Sequence, residues 1–409
     1  MTEKTAITEE KIPQAVWGDF IPFRTLMYLL YARILSNMSI RILYPFLPAV
    51  ARGLGVSLAA ASVLVSVHGA VRMTAPLTGH LSDKYGRRRI MEVALAMLIA
   101  ATAMVYFTNI YGVAIVAFAA IGFSRALFDP TVQAYVGDKV PYAARGRPFA
   151  IISMAWALSW ILGVPVSGFL IARFGWSTPW GFISLLLLTA LVTLRLFMPK
   201  AERSTQTKHL PNAYTWLRLL KRPHIRVALF TGFGIVFAVE NILIVYGAHL
   251  ENRFALSIVT IGILSVVMGG AELLAEGASY LWTDRLGKKR SIILGLFAFI
   301  AAAILLPWIS TKVVLAFAGF ALVFFCFEFT IVSFFPLMSE MAPESRGTAI
   351  SMNVSAMGFA RLAAPLIGTF LFQRTHSLFP NAILSAVVCL LVAVVAWARL
   401  PDHTSDSAR

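Results

Sequence analysis

Apolar residues occupy this 409-residue chain in runs of about twenty or more, separated by short polar stretches rich in Lys and Arg. The runs are apolar on every side, so they are not the striped helices of a soluble domain. Runs of this length with few charges read as membrane-crossing helices, because lipid offers no partner for an open backbone amide or carbonyl. The pattern predicts spans near 25–48, 57–80, 90–108, 111–137, 148–172, 178–198, 225–249, 257–283, 291–310, 313–339, 347–373 and 378–399. The first is expected to end where proline stops it, at Tyr44-Pro45-Phe46-Leu47-Pro48, and to remain as an uncleaved span rather than a signal peptide.

Composition agrees: 59% hydrophobic and 13% charged residues are too apolar a mix for a pair of soluble domains. The net charge of +16 could suggest nucleic acid, so its distribution decides. With the N-terminus cytoplasmic, the loops on the far side hold only five cations, Arg52, Arg173, Arg253, Lys312 and Arg374. Most others fall on the cytoplasmic side, which is the orientation signal of a plasma-membrane protein, a bacterial inner membrane being the expected setting. The charge is topological, and no nucleic-acid partner is expected. Cys326 and Cys389 lie in apolar runs and the histidines are scattered, so neither a disulfide framework nor a metal or other cofactor is implied.

Two polar motifs repeat. Gly79-His80-Leu81-Ser82-Asp83-Lys84-Tyr85-Gly86-Arg87-Arg88-Arg89 is echoed by Asp284-Arg285-Leu286-Gly287-Lys288-Lys289-Arg290, with the aspartates 201 residues apart. Asp138-x-x-Pro141 with Arg145-Gly146 is echoed by Glu340-x-x-Pro343 with Arg346-Gly347, the two arginines again 201 residues apart and the acid-x-x-Pro parts 202 apart. Gly86 and Gly287 permit a tight reversal with positive φ, and the cations hold the turn at the cytoplasmic face. Two motif pairs whose offsets agree to within one residue indicate an internal duplication. The expected organisation is a cytoplasmic tail 1–24, a six-helix bundle 25–198, a basic linker 199–224, a second bundle 225–400 and a tail 401–409.

The stretch Gly79-x-Leu81-x-Asp83-x-x-Gly86-Arg87-Arg88 resembles the signature between the second and third helices of the major facilitator superfamily. Lys84 stands for the usual arginine, and Tyr280 stands where the second copy would have its leading glycine. The resemblance implies an all-α membrane fold of twelve helices in two pseudo-symmetric bundles with both termini cytoplasmic. It also implies that Gly79, Asp83, Gly86, Arg87, Asp284, Gly287, Arg145 and Arg346 act as a conformational latch. Spans 1, 4, 7 and 10 would line a cavity, spans 2, 5, 8 and 11 would form the interface, and the rest would face lipid. Gly163-Val164-Pro165-Val166-Ser167-Gly168-Phe169 looks like a degraded antiporter pattern, with Val164 inserted and Phe169 in place of a glycine. In the fourth span Gly122 matches the drug-efflux branch, whereas Phe118 stands where that branch has an arginine.

Charge within a span costs about 2.5–3.5 kcal/mol on insertion scales and so marks function. Here it falls on the cavity and interface spans. The first half carries Arg33, Arg41, Arg72 and Arg125 against Asp129; the second carries Glu240, Glu272, Glu276 and Glu328 against Arg361. A cationic wall facing an anionic wall suggests ion pairs across the cavity that open and reform during rocking, with Arg41 or Arg125 expected to pair with Glu240 or Glu328 in one state. Asp129 can also pair with Arg125 one turn away on its own helix. Carboxylates in a low dielectric take up protons more readily than in water, so Glu240, Glu272, Glu276 and Glu328 are candidates for proton coupling. Phe128, Phe237, Asn37, Asn241 and Gln133 are candidate substrate-lining residues, in a lining with few amides and many rings.

These residues suit a secondary transporter working by alternating access as a monomer, with a small molecule and protons as partners and the bilayer as solvent. The favoured substrate is a small amphipathic or lipophilic compound exported against protons, as in multidrug efflux. A carrier of a small organic anion using the arginines is the alternative. A membrane enzyme finds no nucleophile–base constellation to support it.

Overall fold

The computed structural model describes residues 20–141, 144–198, 213–342 and 345–400. Among the described residues the regular structure is helical throughout. The first half runs α1 (Phe23–Arg41), α2 (Leu43–Gly53), α3 (Leu58–Arg72), α4 (Ala75–Tyr85), α5 (Arg87–Phe107), α6 (Tyr111–Lys139), α7 (Gly146–Ser153), α8 (Ala155–Leu158), a π-helical turn Ser159–Gly163, α9 (Val164–Phe174) and α10 (Thr178–Phe197). The second runs α11 (Ala213–Lys221), α12 (Pro223–Leu243), α13 (Tyr246–Phe254), α14 (Ile258–Leu264), α15 (Val266–Leu286), α16 (Lys288–Ile309), α17 (Val313–Glu340), α18 (Arg346–Thr375) and α19 (Phe379–Arg399). Ten stretches among them are long and apolar enough to cross a membrane, and the bent pair α1–α2 makes an eleventh. The apolar α3, continued by α4, completes twelve crossings.

The repeat seen in the motifs is a repeat in the backbone. Gly86 (φ 91°, ψ 141°) and Gly287 (φ 86°, ψ 142°) make the same left-handed reversal between helices. A side chain would be strained at either. Ser57 caps α3 by accepting from the amide of Ala60 at 3.1 Å, and Ser257 caps α14 from Thr260 at the same distance. Arg87 pairs with Asp83 and reaches Asp138 at 2.9 Å, while Lys288 meets Glu340 at the corresponding place in the second half. Arg145 closes the end of α6 by donating to the carbonyls of Val140 and Gly137, at 2.7 and 2.5 Å. The surroundings of Gly79 and the side chains of Asp284 and Arg346 lie outside the described residues, as do 1–19, 199–212 and 401–409.

The first span departs from its expected end. The helix is broken at Ile42 by a 53° bend, not stopped at Pro48, and α2 carries Pro48 within it to Gly53. Pro45 tolerates its place because the first-turn amides of a helix have no carbonyl to bond; Pro48 lacks the amide that would reach Tyr44, and Phe46 relaxes to φ −114°, ψ 16°. In the fifth span Pro165 likewise cannot bond back to Ile161, and the preceding turn widens to the π form at Ser159–Gly163. The region expected as a plain linker contains a helix, α11, and Pro223 at the first turn of α12 starts the seventh span slightly early.

Helices α5, α10, α16 and α19 turn one face outward. On α10, Leu185, Leu188, Val192 and Leu196 are exposed while Ile183, Leu187, Ala190 and Leu194 are buried, which is the pattern of a lipid-facing helix. The halves meet along α3 with α18, α9 with α14, α2 with α13, and α15 with α8 and the π turn. Small residues let the backbones approach. A Cβ on Gly247 would lie 2.0 Å from the Pro45 carbonyl oxygen, and one on Gly168 would lie 3.1 Å from that of Ile258. Polar ties between the halves run from mid-span to the end remote from Gly86 and Gly287: Ser62 with Thr369 at 2.9 Å and Arg52 with Glu251 at 2.6 Å.

Candidate functional site

The interior charges form three connected groups. In the first half, α6 presents Arg125 and Asp129 one turn apart, and Asp129 is shared. Arg72 Nη2 donates to it at 3.1 Å, Arg125 Nη2 lies at 3.6 Å and Arg33 Nε at 4.0 Å. Arg125 is wholly buried; its Nη2 donates to Asn37 Oδ1 at 2.6 Å, while its Nε and Nη1 have no hydrogen-bond partner among the described residues. Three guanidiniums around one carboxylate leave a surplus of positive charge, which low dielectric makes costly unless the opposing wall answers it.

The second half answers. On α12, Glu240 Oε1 accepts from Arg361 Nε at 3.2 Å and Oε2 accepts from the Tyr44 hydroxyl at 2.8 Å. On α15, Glu272 and Glu276 share a face, and on α17 Glu328 follows Phe324 by one turn. Glu276 and Glu328 are half-buried, and neither has an ion pair or hydrogen bond among the described residues. Counting the five charges named in each half gives +3 for Arg33, Arg41, Arg72, Arg125 and Asp129, and −3 for Glu240, Glu272, Glu276, Glu328 and Arg361.

The seam between the walls is Arg41 with Glu272. Arg41 Nη1 donates to Glu272 Oε2 and Nη2 to Oε1, each at 3.0 Å, in the fork geometry that suits guanidinium and carboxylate. The guanidinium carbon also lies 4.9 Å from the Trp156 ring centroid, 5.2 Å from Trp160 and 5.8 Å from Phe324. Arg125 approaches Trp156 too, at 5.3 Å.

Charges of opposite sign do meet across the halves, and in the state seen here the pair is not one of those expected. Arg41 takes Glu272 rather than Glu240 or Glu328, and Arg125 stays with Asp129 and Asn37. The bend at Ile42 carries Tyr44, not Arg41, toward Glu240. Asn241 is not a lining residue in this structure. Its amide donates to the Asn381 carbonyl and the Ser385 hydroxyl, at 2.9 and 2.8 Å, tying α12 to α19. Phe128 is fully buried, Phe237 stacks on Phe233 with centroids 5.7 Å apart, and Gln133 is exposed. Tyr44, Trp156 and Trp160 were not anticipated. Tyr44 sat in a stretch that looked like a helix stop, although two tryptophans one turn apart in an interface span were a usable signal.

The sequence profile of the Major Facilitator Superfamily matches residues 29–274 and 228–409. The chain belongs to that superfamily. It is 27% identical over 342 residues to the uncharacterized MFS-type transporter YceJ of Bacillus subtilis, covering 82% of this chain and 86% of that one. It is 25% identical over 371 residues to Multidrug resistance protein 2 of the same organism, covering 86% and 89%. Among solved structures, the D-xylose-proton symporter superposes with a TM-score of 0.76 at 16% identity, over 93% of this chain and 98% of that one. The human organic anion transporter MFSD10 gives 0.65 at 18% identity, over 91% and 99%. At these identities the structures show the shared fold. This facilitator is therefore a multi-pass plasma-membrane transporter of small molecules, not an enzyme.

Proposed function

We propose that this facilitator exports small amphipathic or lipophilic compounds in exchange for protons, by alternating access and as a monomer. The carrying observation is the pair of partnerless, half-buried carboxylates Glu276 and Glu328 beside the Arg41–Glu272 seam. Each can hold a proton at little cost in lost ion pairing, and its charge changes the balance across the seam. The relatives named for multidrug resistance support the substrate class. Two bodies, 25–198 and 225–400, rock about the seam with 199–224 as their connection, and the Asp83–Arg87–Asp138 and Lys288–Glu340 contacts act as latches. The interior charges and the seam all belong to one chain, so one copy suffices. Positive-inside orientation makes the present arrangement the one closed toward the outside.

The test is uptake into proteoliposomes of a cationic and an anionic amphipathic dye, with and without an imposed pH gradient. Gradient-driven movement of the cationic dye that is lost in Glu328→Gln or Glu276→Gln supports the reading. Transport indifferent to the gradient removes the coupling. The unused Nε and Nη1 of buried Arg125 favour one other reading, a carrier of small organic anions; gradient-dependent movement of the anionic dye alone would decide for it.

A further inference from the structure

The surroundings of Arg41 are those of a bound ligand rather than of an ordinary interface residue. Two parallel hydrogen bonds of 3.0 Å join its guanidinium to Glu272, and three ring centroids lie between 4.9 and 5.8 Å from its carbon. Rings at such distances plus one carboxylate form a cation receptor. The rings are built into rigid parts of both halves. Trp156 belongs to α8, Trp160 to the π turn imposed ahead of Pro165, and Phe324 to α17. A second observation points to an additional cation. Glu276 lies one turn from Glu272, and Glu328 one turn from Phe324, and neither has an ion pair among the described residues. With both of these ionised, the receptor's side of the seam carries two more carboxylates than Arg41 can neutralise. Trp156 is only half-buried, so the receptor is open on that side.

The geometry points to Arg41 as a tethered occupant of a guanidinium site: a ligand bearing a guanidinium or amidinium group on a small apolar body displaces it from Glu272, Trp156, Trp160 and Phe324. The displaced Arg41 side chain gives up its bonds to Glu272, so arrival of the ligand breaks one of the ties between the two halves. The planar fork of two donors defines the class. A quaternary ammonium satisfies the rings but not the carboxylate oxygens. This inference rests on the interior being a substrate path; it needs neither proton coupling nor a direction of transport.

The experiment is equilibrium binding to the purified full-length protein, read by tryptophan fluorescence at fixed pH, with benzylguanidinium and benzyltrimethylammonium as probes. Benzylguanidinium should bind wild type weakly, and Arg41→Ala about tenfold or more tightly, because the internal competitor is gone. Glu272→Gln on top of Arg41→Ala should abolish that gain, and benzyltrimethylammonium should gain far less from Arg41→Ala. Arg41→Gln carries the same expectation should Arg41→Ala fail to fold, and Trp156→Leu in wild type should lose the probe altogether. Unchanged or weaker benzylguanidinium binding in the Arg41 variants would overturn the proposal, as would equal gains for both probes. No membrane gradient enters the measurement. A negative result here leaves proton-coupled export standing, and a failure of gradient dependence leaves the binding result standing.

Discussion

Arg41 and Glu272, 231 residues apart in sequence, are joined by two hydrogen bonds of 3.0 Å with both side chains almost wholly buried. Removing one member of such a pair leaves the other charged and unpaired, at a cost of about 3–5 kcal/mol. Glu272→Gln and Arg41→Met should each lower the melting temperature of the purified protein. The exchange Arg41→Glu with Glu272→Arg should recover part of that loss. Additive losses in the double variant, measured as a mutant cycle, would mean the two side chains are not coupled.

Tyr44 gives the seam a second tie through Glu240. Tyr44→Phe deletes the 2.8 Å hydrogen bond while Arg361 still balances the carboxylate, so the expected cost is about 1.5–3 kcal/mol against the state seen here. The structure closed at the remote end should become less populated. Cysteine labelling at that end should then speed up by about tenfold or more. An unchanged labelling rate would show that the hydroxyl does not hold the halves together.

Gly247 faces the Pro45 carbonyl with no room for a methyl group, since a Cβ would sit 2.0 Å from the oxygen. Both contacting groups are backbone, so neither can swing aside. Gly247→Ala should wedge α13 off α2 and favour opening at the remote end. Distances between spin labels on the two halves should lengthen there. A distribution matching wild type would place the seam elsewhere.

Arg52 and Glu251 close the same end with a 2.6 Å contact that is partly exposed. Exposed pairs are worth about 0–1 kcal/mol, so Arg52→Ala should barely change stability. A cysteine pair at the two positions should behave differently. Oxidised, it should stop transport by fixing this end shut, and reduction should restore it. Full transport with the disulfide formed would contradict alternating access through this end.

Much of the architecture could be read from sequence because it rests on local rules. Apolar runs demand helices in lipid, and Gly86 and Gly287 at equal spacing demand equal turns. Pairing was harder. Which carboxylate faces Arg41 depends on the 53° bend at Ile42, and that bend depends on how Pro45 and Pro48 divide one apolar run into two rods. One turn of helix displaced at that point exchanges Glu240 for Glu272. The position of Trp160 depends similarly on a π turn, a local widening that no apolar periodicity reveals. Asn241 looked like a lining amide because its helix lines the interior, yet which face of α12 it occupies is set by α19.

The opposite formal charges of the two walls, +3 and −3 with every group ionised, have a consequence for assembly. Each bundle on its own would carry an uncompensated interior, stable only when pressed against its opposite, so the two act as mutual counter-ions and covalent continuity between them is a convenience. A gene split within residues 199–212 and expressed as two polypeptides should yield a pair that purifies together, and neutralising Glu272, Glu276 and Glu328 at once should make the fragments part.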